Sequence, residues 1–495
     1  MQTVRAEVEI GRPPTEEQLK EWYAEHNITP NADGSFTELP YGPPPVEKDA
    51  IVEQVRVNAQ RREVKNLQGS VYNPKIMVFV CGGPTLADHL DELKAKSLDD
   101  RYEIYTSNMT CKYLLSKGIK PKYHVIIDPT EKKKKDLDYD ADDVTLILGL
   151  QCHPAVFEAI GKRKAFKFLA ASATNRTPSD VEVAQEACHA DDPNLVGIGG
   201  GSMMGTRALY LAAVLGYRRI EYYGFDAMVS FENGRVRCYS YDKQRAENIL
   251  EVEAGNGKTF YSTLAFARQA TEIVNLMEKL PGMDVVIHGE SFMSNQVAMY
   301  KANNAPAPYR VSPEYAKLNN QLHQTDERYG TSGHRHAPRV FMAAAQIARN
   351  GKCDVLDYGC GKQTLFKAIE SAFGQVVGVR YIGYDPCIPG LNKEPEPAEV
   401  VVCTDVMEHV ETPCVGAVID HLHSLTKEIL IVDISLRPAK KVLADGRNAH
   451  LTLKDADWWA SYFQKHFVII ENHVQAEEML MVLQPIEKYR ARKGL

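Results

Sequence analysis

No two cysteines in this chain stand in a Cys-x-x-Cys spacing, although ten are scattered along it. That absence removes the usual structural zinc and dithiol patterns. It predicts reduced, partly buried thiols in a cytosolic protein. No apolar run approaches the ~20 residues of a membrane-spanning helix, so no membrane partner is expected. The opening residues are polar and acidic, which predicts no signal peptide. A basic excess is missing too. The net charge of −7 argues against a general nucleic-acid-coating role. What is present is ordinary for globular protein, 44% hydrophobic and 25% charged. At 495 residues the chain is too long for one core, so two or three domains are expected.

The densest signal lies at 353–361. An apolar run, Val355 and Leu356, ends in Asp357, then Gly359 and Gly361, then an amphipathic stretch from Thr364 to Phe373. That order reads as a buried strand, a tight turn and a helix. A second strand, 381–385, ends in Asp385, placed to hydrogen-bond the ribose hydroxyls of a nucleoside. A third strand, 398–405, ends in Asp405, followed by Glu408 and His409.

These pieces resemble class I S-adenosylmethionine-dependent methyltransferases: Val-Leu-Asp-Tyr-Gly-Cys-Gly at 355–361, Gly-Tyr-Asp-Pro at 383–386 and Asp-Val-Met-Glu-His-Val at 405–410. The Gly-x-Gly-x-x-Gly of dinucleotide oxidoreductases is absent, since Thr364 stands where the third glycine would be. The resemblance runs from Gln321 onward. It implies S-adenosylmethionine as cofactor, with Asp357, Gly359, Gly361, Asp385 and Asp405 around it. Glu408, His409 and His450 become the catalytic candidates, with loop ordering and helix capping as the alternative for the first two. Arg447 and Asn448 join His450 as acceptor contacts, and Tyr329, His334 or Arg335 would reach the substrate from the N-terminal side, with a helix-capping loop of exposed histidines as the alternative. Between Asp385 and Ala398 the chain is short and proline-rich, so the family's third strand and adenine-side acid find no match. Residues 467–474 and 479–484 read as a terminal antiparallel hairpin.

The proximal half alternates strands and helices from Lys75, with strands at 75–80, 102–107, 123–128, 144–151, 166–171, 195–198, 219–223 and 284–288. Alternation of this kind implies a parallel sheet covered on both faces, with ligands beyond the carboxyl ends of its strands. There stand Gly82, Gly83, Thr85, Asn108, Gly199 to Ser202, Asp128 and Asp226. Gly82-Gly83 and Gly200-Gly201-Ser202 each precede a helix whose N–H groups would face a phosphate. Asp128 and Asp226 would hold Mg²⁺ between phosphates. Plain turns and helix caps are the alternative for all of them. The lysine run 132–135 reads as a solvated face, and Cys152-His153 lacks a metal-ligand partner at recognisable spacing.

This region resembles the domain typified by the archaeal 6-hydroxymethylpterin pyrophosphokinase, related in fold to certain bacterial sialyltransferases. The carriers are Cys-Gly-Gly-Pro-Thr-Leu at 81–86, Thr-Ser-Asn at 106–108, residues 117–129, residues 199–209 and Tyr-Tyr-Gly-Phe-Asp at 222–226. The family's Gly-Pro-Ser reads Gly-Pro-Thr here. The resemblance implies nucleotide or nucleotide-sugar binding, by a diphosphokinase or a glycosyltransferase.

The expected fold is α/β, with two doubly wound Rossmann-like domains, the C-terminal one of class I methyltransferase type. Residues 1–70 would be a lead-in with helices at 16–26 and 48–67, packing on the next domain or on another subunit. The pyrophosphokinase-like domain would span 71–300, a linker 301–320 and the methyltransferase 321–495. The expected function is methyl transfer to a small-molecule, nucleotide-sugar or glycan acceptor, in a combination resembling bifunctional accessory enzymes of phage genomes. The alternatives are an inert nucleotide-binding structural protein or nucleic-acid base modification. The latter lacks the Asn/Asp-Pro-Pro-Tyr signature. Homo-oligomerisation is left open.

Overall fold

The computed structural model describes residues 3–5, 46–170, 180–230, 236–238, 249–349, 351–375 and 377–495. The expected helix at 16–26 and the proline spacer at 30–45 lie outside the described residues. The chain divides into two compact units, Met1–Glu278 with Met283–Asn303, and Lys279–Gly282 with Asn304–Leu495.

The proximal unit is built on eight parallel strands: β1 Lys65–Asn66, β2 Ile76–Val80, β3 Tyr102–Ser107, β4 Tyr123–Ile126, β5 Thr145–Gly149, β6 Ala165–Phe168, β7 Arg219–Tyr223 and β8 Asp284–Ile287. Their order is β8-β7-β2-β3-β4-β5-β6-β1. Met77, Val78, Phe79 and Val80 are all fully buried, as a strand covered on both faces requires. The chain passes from β2 to β3 on one side and returns to β7 on the other. The carboxyl ends of β2 and β7 therefore flank the crevice where such sheets bind ligands. Gly82, Gly83 and Asp226 follow those two ends.

Three readings need correction. The helix expected at 48–67 stops at Ala59, because Gln60, Arg61 and Arg62 offer no apolar face to continue it. Residues 65–66 pair instead with β6 as an edge strand. Residues 195–198 are not a strand but a single bridge between Leu169 and Gly197, since the glycines that follow turn the chain away. A small antiparallel sheet, Thr3–Arg5, Leu250–Glu253 and Thr259–Ser262, was not anticipated.

The distal unit holds six strands: β9 Cys353–Tyr358, β10 Val379–Tyr384, β11 Ala398–Thr404, β12 Thr426–Ser435, β13 Phe467–Gln475 and β14 Glu478–Pro485. Their order is β10-β9-β11-β12-β14-β13, parallel except for β14, which runs against both its neighbours. This is the doubly wound arrangement with a terminal antiparallel hairpin expected for this half of the chain. Side chains alternate faces along each strand. Val355, Val400, Val402 and Ile431 pack with helices Ala337–Ala348 and Thr364–Phe373. Leu356, Val401, Cys403 and Val432 pack with Val415–Leu425 and Ala456–Phe463. Trp459 is fully buried in this second layer. β10 is left as the sheet edge, because 386–397 folds into turns closed by Asp385 N–H to Leu391 O (2.9 Å). The region expected to be a linker is partly helical, with helices ending at Asn303 and starting at Pro313.

Candidate functional site

A cavity of about 400 Å³ opens over the carboxyl ends of β9, β10 and β11 in the distal unit. Gly359, Asp385, Asp405, His409 and His450 line it, whereas Asp357, Gly361 and Glu408 do not.

β9 ends at Tyr358 and the chain turns at once. The N–H groups of Gly359 and Cys360 both donate to Tyr384 O (2.7 and 3.0 Å), fastening the turn to the end of β10. Gly361 has φ +48°, and a Cβ there would lie 2.6 Å from Gly330 O. Lys362 N–H donates to that same carbonyl at 2.9 Å. Only glycine fits, because the chain around Gly330 lies against the turn. One oxygen of Asp385 accepts from Gly361 N–H (3.2 Å) and the other from Cys387 N–H (2.9 Å). Each oxygen keeps a further lone pair for a ligand hydroxyl in the cavity. Burial raises the Asp385 carboxyl. Burial, then the charge of Asp385, raises Asp357 to about 7. When ionised, these two buried acids favour a nearby cation.

The opposite wall begins at Asp405, which sits at φ +53° and accepts from Arg335 at 2.6 Å. Arg335 also donates to Glu478 (3.0 Å). Glu408 is fully buried, with Oε1 accepting from Ser435 N–H (3.0 Å) and Oε2 left without a hydrogen-bond partner. Burial, then Asp405, holds its carboxyl well above the usual carboxylate range. His409 Nδ1 lies 2.7 Å from Ala449 O, and His450 Nδ1 lies 2.6 Å from Arg437 O. A carbonyl only accepts, so each Nδ1 carries a hydrogen and each neutral ring keeps its lone pair on Nε2. The rings meet edge to face, centroids 4.7 Å apart. Burial lowers both imidazoles, His409 to about 4.

Sequence reasoning missed the helix Pro313–Thr325. Asn319 Nδ2 donates to Tyr315 Oη (2.8 Å) and to Tyr329 Oη (3.0 Å), and Tyr329 Oη lies 3.3 Å from His409 Nδ1. Tyr315, Asn319 and Tyr329 are all buried and all line the cavity. The four-residue spacing of Tyr315 and Asn319 was the available signal, hidden by reading 301–320 as linker. Two expected acceptor contacts turn away. Arg447 pairs with Asp445 (2.6 Å), and the Asn448 side chain bridges both backbone groups of Ala439. His334 is bound to Thr331 O and does not line the cavity, whereas Arg335 does.

In the proximal unit the glycine turns meet the chain's own acids. Thr85 donates to Asp226 from its N–H (2.8 Å) and its hydroxyl (2.7 Å). A Cβ on Gly83 would lie 2.6 Å from Gly224 O, so that turn packs backbone on backbone beside Gly82. Burial raises Asp226 to about 6. Ser202 donates to Glu272 Oε2 from its N–H (2.9 Å) and its hydroxyl (3.0 Å), and Glu272 also stands against Gly201. Arg207 packs under Gly200. Asn108 closes β3 at φ +51°, and its carbonyl accepts from Cys111 N–H. Asp128 accepts from Thr130 N–H (2.9 Å) and Oγ1 (2.6 Å). The expected Mg²⁺ pair, Asp128 and Asp226, is corrected. They follow β4 and β7, three strands apart, or ~14 Å at strand spacing. One ion cannot bind both at ~2.1 Å.

Residues 322–477 match the family model of a methyltransferase domain. Residues 49–231 match the model described as 6-hydroxymethylpterin diphosphokinase MptE-like. Among solved structures, the MAf glycosyltransferase of Magnetospirillum magneticum AMB-1 is similar at 15% identity over 65% of this chain, TM-score 0.37. The alignment covers 49% of that protein, so the chain spans about half its length. The 1,6-didemethyltoxoflavin-N1-methyltransferase of Burkholderia thailandensis, solved with S-adenosylhomocysteine, is 14% identical, with 37% of this chain and 93% of that one covered and a TM-score of 0.27. The magnesium protoporphyrin IX methyltransferase of Synechocystis PCC 6803, solved with SAM, is 19% identical, with 33% and 84% covered and a TM-score of 0.23. No curated protein matches the chain in sequence. No helix among the described residues is long and apolar enough to cross a membrane.

Proposed function

We propose that the distal methyltransferase domain transfers a methyl group from S-adenosylmethionine to a small-molecule, nucleotide-sugar or glycan acceptor. The observation that carries this reading is one cavity holding Gly359 and Asp385 on one wall and His409 and His450 on the other. Its volume suits a drug-sized ligand. S-adenosylmethionine bound there would supply an electrophilic methyl group to an in-line acceptor lone pair, the C–S electron pair staying on sulfur. Asp385 holds the ribose hydroxyls through its remaining lone pairs. Asp357, set behind the turn, complements positive charge. His409 is kept in one orientation by Ala449 O and the Tyr329–Asn319–Tyr315 chain, with Nε2 left open to the cavity. Holding the partners in line contributes much of the acceleration in such a displacement.

The proximal unit, on this reading, binds a phosphate-bearing nucleotide, which its family match supports. Calorimetric titration with S-adenosylmethionine tests the main proposal. One cofactor should bind per chain, and Asp385→Ala should weaken it at least about tenfold. A silent titration at millimolar cofactor, or equal affinity in the variant, would overturn it.

A further inference from the structure

His409 and His450 line the distal cavity, and the buried Glu408 lies beside them. One ligating atom from each lies within 4.8 Å of those of the other two. We infer that these three side chains hold a divalent first-row transition cation at the floor of the distal cavity.

Three observations converge on it. First, each imidazole donates Nδ1–H to a backbone carbonyl, Ala449 O and Arg437 O. That arrangement fixes the ring and leaves Nε2 as a ligand, as in most histidine–metal pairs. Second, Glu408 Oε2 is buried with no donor among the described residues. An unsatisfied buried carboxylate oxygen is costly, and a cation satisfies it. Third, two arginines that line the cavity are paired with other acids: Arg335 with Asp405 and Glu478, and Arg437 with Glu477 (2.8 Å).

The donor set names the ion class. Two imidazoles and one carboxylate suit Zn²⁺, Fe²⁺, Co²⁺ or Mn²⁺ rather than Mg²⁺ or Ca²⁺, which prefer oxygen donors throughout. Three protein ligands leave positions open, as sites that bind substrate do. His409 and His450 line the cavity, so the open positions face it. Ligand bonds of ~2.0–2.2 Å need the donors ~3–4 Å apart, so the side chains close in by about an ångström on binding.

Given methyl transfer as proposed above, the ion narrows the acceptor to a hydroxylated compound. Its oxygen would take an open position, the O–H proton would pass to water, and the remaining lone pair would attack the methyl group.

The test uses full-length protein freed of metal with chelator and titrated with Co²⁺. One Co²⁺ per chain should bind with visible d–d absorption, and equilibrium dialysis with Zn²⁺ should give the same stoichiometry. Glu408→Gln, which keeps an acceptor for Ser435 N–H, and His450→Gln should each weaken uptake at least about tenfold with circular dichroism unchanged. No uptake at millimolar metal, or uptake indifferent to both substitutions, overturns the site. S-adenosylmethionine binding is measured separately without metal. Its loss with the Co²⁺ band intact refutes methyl transfer alone, and the reverse refutes the cation alone.

Discussion

Both units turn a buried parallel strand through glycines into a helix, and in both an acid from a neighbouring strand accepts from the turn. The difference lies in what that acid has left to offer. Asp226 accepts both Thr85 donors and is almost wholly enclosed, 2% exposed. Asp385 accepts from Gly361 and Cys387 but keeps a side on a 400 Å³ cavity. At the second proximal turn, Glu272 takes the donors of Ser202. A carboxylate there stands where an anionic ligand would. A glycine turn before a helix is therefore a set of donors, and the chain's own acids decide whether a ligand reaches them.

The comparison breaks hardest at Gly361. Gly361→Ala places a Cβ against Gly330 O at a left-handed φ. It should destabilise the distal unit by about 2–4 kcal/mol, read by denaturant unfolding. A change under about 0.5 kcal/mol would show that the chain around Gly330 does not lie on the turn.

Next is the pH dependence of cofactor affinity. Asp357, raised to about 7, is protonated and neutral below that pH. A sulfonium is favoured by the ionised form. Affinity should rise by at most about tenfold per pH unit up to 7 and level off above it. Asp357→Asn should flatten the curve. A profile that falls over this range, or an unflattened variant, speaks against the assignment.

A smaller effect sharpens the proximal half of the comparison. Glu272→Gln removes the anion now held by Ser202 and should raise inorganic pyrophosphate affinity about three- to tenfold by calorimetry. Unchanged affinity would mean the loop is structural. Smallest of all, Arg447→Ala should change methyl-transfer rates less than about twofold, because Arg447 is paired on its own loop. A larger loss would return it to the acceptor site.

Much of this was legible in the sequence. Val355-Leu356 and the run from Val400 to Cys403 are apolar without alternation, which betrays strands covered on both faces, and the acids at 385 and 405 sit at strand tips as their spacing implies. The missing third strand was also visible, since the prolines of 386–397 leave β10 at the sheet edge. What was hidden is long-range. Nothing local to Ser202 announces Glu272, seventy residues away. Nothing near His409 announces Tyr315 and Asn319 on a helix read as linker. Asp128 and Asp226 look alike in sequence, and only strand order separates them.

The most direct test of the central claim is a crystal structure of the full chain with S-adenosylhomocysteine. Density is expected in the distal cavity, with the ribose hydroxyls on Asp385 and the backbone of 359–361 alongside the amino-acid tail. A ligand bound elsewhere, or a cavity without density at saturating ligand, would contradict it.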